Sequence, residues 1–151
     1  MSGGKMDISM HADYGFRVLM YLALSNHKLV QIATISDAYG ISENHVIKVV
    51  QRLTKLGYVQ AVRGRNGGVR LAQAPEKIIL AQVFRQMEPS LRLLECFDPA
   101  TNTCPIVKSC SLSQVFGQAL DAYLKVLDQR TLASVLQKSH PLRKILGISP
   151  Q

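Results

Sequence analysis

The sequence predicts a mostly α-helical chain with one small β-hairpin and a long helix toward its end. Three patterns predict it. Val46, Val49, Val50, Leu53 and Leu56 recur at i, i+3, i+4, i+7 and i+10, the stripe of a helix with one buried face. Arg63-Gly-Arg-Asn-Gly-Gly68 separates two short apolar runs and is rich in residues that tolerate positive φ, the mark of a hairpin turn. Leu112, Phe116, Ala119, Leu120, Tyr123, Val126 and Leu127 make a second helical stripe. The 151 residues suit one domain, or a small domain with an appended arm. With 47% apolar and 19% charged residues, an intrinsically disordered chain is excluded.

The elements follow in order. Met1 to Lys5 reads as a flexible leader. Asp13 to Ser25 carries Phe16, Val18, Leu19, Tyr21, Leu22 and Ala23, which suits a mostly buried helix, with Asp13 at its start as a capping carboxylate. Asn26 to Leu29 is a polar turn. Ile32 to Tyr39 is a short helix, and Gly40 ends it as a C′ glycine. Ser42 is the expected N-cap of a helix from Glu43 to about Leu56, closed by Gly57. Tyr58–Val62 and Val69–Leu71 are the two strands of the hairpin, and Gln73-Ala-Pro75 is a linker. Ile79 to Glu88 reads as a helix ended by Pro89. Leu91 to Ser113 is irregular. One long helix is expected from Leu112 to about Lys138, with His140-Pro141 ending it and a short apolar tail after.

Helix, short helix, glycine turn, longer helix and hairpin is the order of a winged helix-turn-helix. Charge gives this order a purpose. Lys and Arg number 18 against 10 Asp and Glu, a net charge of +8, which favours a polyanionic partner. Between Asn44 and Pro75 there are six Lys or Arg and no Asp or Glu. On the longer helix His45, Lys48, Arg52 and Lys55, with Asn44 beside them, lie away from the apolar stripe, as a helix entering a major groove requires. Arg63, Arg65 and Asn66 sit on the hairpin tip, where an Arg can enter a narrow minor groove. Double-stranded DNA is the expected partner. No strand carries the aromatic stacking pair of an RNA binder. A membrane is not expected, because the apolar run Val18 to Leu24 is seven residues against the roughly 20 that a span needs. No positive segment precedes that run, so a cytoplasmic protein is expected.

The three cysteines, Cys96, Cys104 and Cys110, are spaced Cys-x7-Cys-x5-Cys. The short Cys-x2–4-Cys knuckle of structural zinc sites is absent, as are the common ferredoxin spacings. Spacing alone allows three thiolates converging on one loop, three free thiols, or a thiol–disulfide switch using two of them. Three thiolates need a fourth ligand, for which this chain offers His11, Asp13, Glu95 and Asp98. No general base, nucleotide loop or oxyanion constellation accompanies the thiols, so an enzyme is not expected.

The stretch ADYGFRVLMYLA, the block ISENHVIKVVQRLTKLGYVQAVRGRNGGVRLA and the three-Cys loop together resemble the winged-helix iron–sulfur repressors that include NsrR, RirA and IscR. The resemblance covers about residues 6 to 140. It implies a homodimer on a palindromic operator, with a cluster, 4Fe-4S ahead of 2Fe-2S, ligated by Cys96, Cys104 and Cys110. In the nitric-oxide sensors of this group an Asp matching Asp13 completes the cluster from the partner subunit. In the IscR type a His three residues after the third Cys does so, and Ser113 stands there. The loop pattern ECFD…CP…SC resembles the iron-responsive RirA type, which typically lacks the Asp.

The resulting expectation is a dimeric repressor that senses nitric oxide through an iron–sulfur cluster. Its alternatives are an iron-responsive repressor of the same group and a metal-free repressor switched by a disulfide. Residues 6–75 are expected to form the DNA-binding domain. Residues 76–151 are expected to hold the cysteine loop, about 91–113, and the dimerisation helix, about 112–138.

Overall fold

The computed structural model describes residues 7–149; the leader Met1 to Lys5 lies outside them. Helix α1 runs Met10–Leu24, three residues earlier than expected. Its N-cap is Ser9, not Asp13. The Ser9 hydroxyl accepts from the Ala12 N–H at 3.1 Å, satisfying one of the orphan donors of the first turn. Asp13 sits one turn inside, where a carboxylate still faces the positive end of the helix. Most of α1 is core: Ala12, Val18, Leu19, Tyr21, Leu22 and Leu24 are all buried.

Asn26 and His27 adopt positive φ and turn the chain. Helix α2 spans Ile32–Tyr39 and ends on Gly40 at φ 62°. Ser42 caps helix α3, Glu43–Lys55, through the His45 N–H, and Val46, Val49, Val50 and Leu53 are its buried face. Strands β1, Val59–Val62, and β2, Gly68–Leu71, pair antiparallel from Val59↔Leu71 to Val62↔Gly68. Tyr58, expected in the first strand, precedes it. Its N–H closes the end of α3 on Leu53 O at 3.0 Å. Val30 adds a third rung beside β2, exchanging both backbone hydrogen bonds with Val69 at 2.9 and 2.8 Å. A Cβ at Gly67 would run into the Val62 carbonyl, so this wing turn closes only with glycine there.

Helix α4 covers Leu80–Met87, and α5 covers Ser111–Asp128. The expected single helix to Lys138 does not form. After Asp128 the backbone leaves the helix to bridge Thr131 with Ile79. Leu80 N–H donates to Arg130 O at 2.9 Å and Leu132 N–H to Ile78 O at 2.8 Å. Thr131 and Ser134 then form a capping box that starts α6, Leu132–Val135. Leu132 is fully buried, and this tertiary anchor outweighs continuation of the helix. His140 and Pro141 end nothing. They lie in the first turn of α7, Ser139–Ile145, where the missing proline N–H is harmless. Arg143 pins α7 to the end of α1 by donating to Leu24 O and Asn26 Oδ1, each at 3.0 Å. No described helix is long and apolar enough to cross a membrane.

Candidate nucleic-acid interface and cysteine loop

Two sides of α3 behave oppositely. Its apolar side is packed under α1 and α2, while Asn44, His45, Lys48, Arg52 and Lys55 are exposed. Arg63, Arg65 and Asn66 are exposed on the wing, which Gln31 steadies by donating to Gly67 O. Among the described residues none of these cations has a carboxylate partner. Uncompensated exposed charge of one sign is what phosphate binding needs. Two of the helix residues also serve the fold. The His45 ring lies 6.1 Å from that of Tyr14 on α1, and Arg52 Nη2 donates to Gln86 O of α4 at 3.1 Å.

Asp13 is engaged within its own helix. Arg17, one turn on, donates to Asp13 Oδ1 at 3.3 Å and Oδ2 at 2.7 Å. The same guanidinium lies 5.5 Å from the Tyr14 ring centre and 6.0 Å from that of Tyr39. Arg17 was not singled out from the sequence. Its i, i+4 spacing after Asp13 was the available signal.

All three cysteines lie between α4 and α5, half-buried and free of disulfides. Cys96 is in a 3-10 turn, Glu95–Phe97, and Cys110 directly precedes α5. The loop is braced by its acids. Glu95 accepts from Thr103 N–H at 2.7 Å and from its hydroxyl at 2.6 Å. Asp98 accepts from the Thr101 hydroxyl at 2.9 Å, and from Ala100 N–H and Arg92 Nη1 at 3.0 Å each. Those hydrogen bonds, from Thr103 to Glu95 and chiefly from Thr101 to Asp98, hold both carboxyls below the usual range. Asn102 Oδ1 takes the Cys104 N–H at 2.9 Å. The Ser113 hydroxyl donates to Cys110 O at 3.0 Å.

The brace leaves the thiols as the uncommitted donors of the loop. Their chemistry fits a thiolate-ligated group. Among the described residues, however, no three His, Cys, Asp or Glu side chains are already gathered around one ion position. A cleft of about 560 Å³ lies between the loop and α5, lined by Arg92, Phe97, Pro99 and Leu120.

The family signature Rrf2, described as an iron-dependent transcriptional regulator, matches residues 8–138. The HTH-type transcriptional regulator NsrR of Bacillus licheniformis is 46% identical over 143 residues, 94% of this chain and 100% of that protein. The NsrR regulator of Shouchella clausii is 44% identical over 142 residues, 93% of this chain and 95% of that one. Among solved structures, T. potens IscR superposes with a TM-score of 0.72 at 25% identity, covering 91% of each chain.

Proposed function

The chain belongs to the Rrf2 family of transcriptional regulators, and from that premise we propose a homodimeric repressor that senses nitric oxide through a cluster on Cys96, Cys104 and Cys110. The observation that carries the reading is the loop itself: three free thiols, while the acids beside them are spent on bracing. Identity above 40% to HTH-type transcriptional regulators named NsrR supports the regulator part of this reading. When bound, a 4Fe-4S cluster supplies iron open to nitric oxide and a cross-link among the three thiolates.

The chain's own residues do the rest. Helix α5 has no fully buried residue, and it exposes Leu112, Val115, Phe116, Tyr123 and Val126. A second copy covers this stripe. Two α3 helices then lie about one DNA turn apart, roughly 34 Å, on a palindromic site. Residues 6–75 read DNA, and residues 76–151 carry the loop and the dimerisation helix. Asp13 serves the partner's loop as fourth ligand by leaving Arg17. That exchange is cheap, because an exposed i, i+4 pair is worth only about 0.3–0.5 kcal/mol. Arg17 receives Asp13 again when the loop lets go, so the state of the loop is written into the first turn of α1. His11 stands in that same turn as the other nearby donor.

The test is anaerobic purification followed by visible spectra, iron and sulfide assays and operator binding. A brown protein that loses colour and changes DNA affinity at small amounts of nitric oxide is expected. A brown protein indifferent to nitric oxide but bleached by low iron would point to the iron-responsive reading that the ECFD…CP…SC loop resembles. A colourless protein would remove the cluster and leave a disulfide-switched repressor.

A further inference from the structure

The last residues before the cysteine loop grip the DNA-binding half at several points. Gln86 Oε1 accepts from the Tyr58 hydroxyl at 2.6 Å, and Gln86 O accepts from Arg52 Nη2 at 3.1 Å. Met87 is buried against α1, where a Cβ at Gly15 would stand 2.8 Å from its Cε. Glu88 Oε2 accepts the backbone N–H of Ser9, the cap of α1, at 2.9 Å. Pro89 follows, and the chain enters the loop. One turn thus joins the root of the cysteine loop to α1, to the last turn of α3 and to the residue that precedes β1.

We propose that Gln86 is the positioning residue that transmits the state of the cysteine loop to the recognition helix and the wing. This rests on the reading that the loop governs DNA affinity. Met87 and Glu88 hold α1, whereas Gln86 alone of the three hydrogen-bonds to α3 and to the start of the wing. Tyr58 is 4% exposed, and its hydroxyl is a polar tip on a core side chain. Burial pushes that phenol's pKa above its ordinary value. Gln86 is exposed and the bond only part-buried, so the Gln86 side chain can leave Tyr58 and water take its place, which gives the contact two states, made or replaced. Coupling between two sites requires an element with two such states. Arg52, held at the same carbonyl, carries any shift of α4 into the charged face of α3.

The experiment compares operator Kd for cluster-loaded and cluster-free dimer, together with amide hydrogen exchange of residues 53–58 in both forms. Gln86→Met removes the acceptor, Tyr58→Phe removes the donor, and Gln86→Glu keeps an acceptor. The wild-type affinity ratio is expected to depart from one, and the amides to respond to loading. Gln86→Met and Tyr58→Phe are expected to bring the ratio about two- to tenfold closer to one, the span of one neutral hydrogen bond, and to abolish the amide response. Gln86→Glu keeps the wild-type ratio. Wild-type ratios and amide responses in both Gln86→Met and Tyr58→Phe would overturn the proposal. A lowered thermal midpoint with an unchanged ratio overturns it too, since the bond then only stabilises. A wild-type ratio of one would sink the underlying reading, and the relay with it.

Discussion

Single replacements of Asp13 and Arg17 separate a ligand from an ordinary surface pair. The two side chains are 38% and 42% exposed and joined by two hydrogen bonds. Such a pair contributes about 0.3–0.5 kcal/mol. The rings of Tyr14 and Tyr39 beside Arg17 add about 0.5–1 kcal/mol of cation–π attraction at exposed sites. In cluster-free protein, then, Asp13→Ala should cost about 0.5 kcal/mol and Arg17→Gln about 1–1.5 kcal/mol, both destabilising. Cluster retention should split them. Arg17→Gln removes a competitor worth about 0.5 kcal/mol and should slow chelator-driven bleaching roughly twofold. In the proposed role, Asp13→Ala deletes a ligand. Even residues that merely support a ligand cost roughly 10–100-fold in metal affinity, so bleaching should quicken by about tenfold or more. The assays are urea denaturation of cluster-free protein and anaerobic bleaching rates. Bleaching changes of the same sign in both variants would refute the exchange of Asp13 between Arg17 and the cluster.

Three further outcomes are expected. Lys48→Ala and Arg65→Ala should each weaken operator binding and reduce the slope of log K against log salt by about 0.9 for each phosphate no longer neutralised, with folding unchanged; wild-type slopes in both would sink the assignment of α3 and wing. Leu132→Ala should cost about 2–5 kcal/mol in denaturant unfolding because the side chain is fully buried; a cost within about 0.5 kcal/mol would place it on the surface instead. Asp128 is held below the usual carboxylate range by the Arg85 side chain at 2.9 Å. Its folded pKa is depressed, so the pair's contribution is present above the usual range and fades as pH falls through the lowered value. Asp128→Asn should therefore lower the urea midpoint at neutral pH and match wild type in strong acid, and a pH-independent difference would contradict this sign.

The winged half was largely legible because its signals are local. Ser42 caps α3, and Gly40 takes the left-handed conformation that a glycine allows at a helix end. The buried stripe of α3 followed from a 3.6-residue period that needs no knowledge of the rest of the chain. The three thiols were found as a loop, yet the spacing carried no trace of the brace from Glu95 to Thr103 or from Asp98 to Thr101. Those are short-range contacts of an irregular segment, where no period exists to read.

What the sequence by itself determined was the order of elements as far as α5, the buried and charged faces of α3, the basic wing and the grouping of the cysteines. Each follows from chain geometry over a few residues. Only the tertiary structure decided where α5 stops and that two short helices follow it. The apolar pattern runs on through Val126, Leu127, Leu132 and Leu136, and one continuous helix would have satisfied it. The chain instead breaks at Gln129–Arg130, since the hydrogen bonds of Ile78 and Leu80 and the burial of Leu132 beside α1 stabilise more than another helical turn can. Ser9 replaced Asp13 as cap for a related reason: its own N–H is held by Glu88, 79 residues away, which no local pattern records.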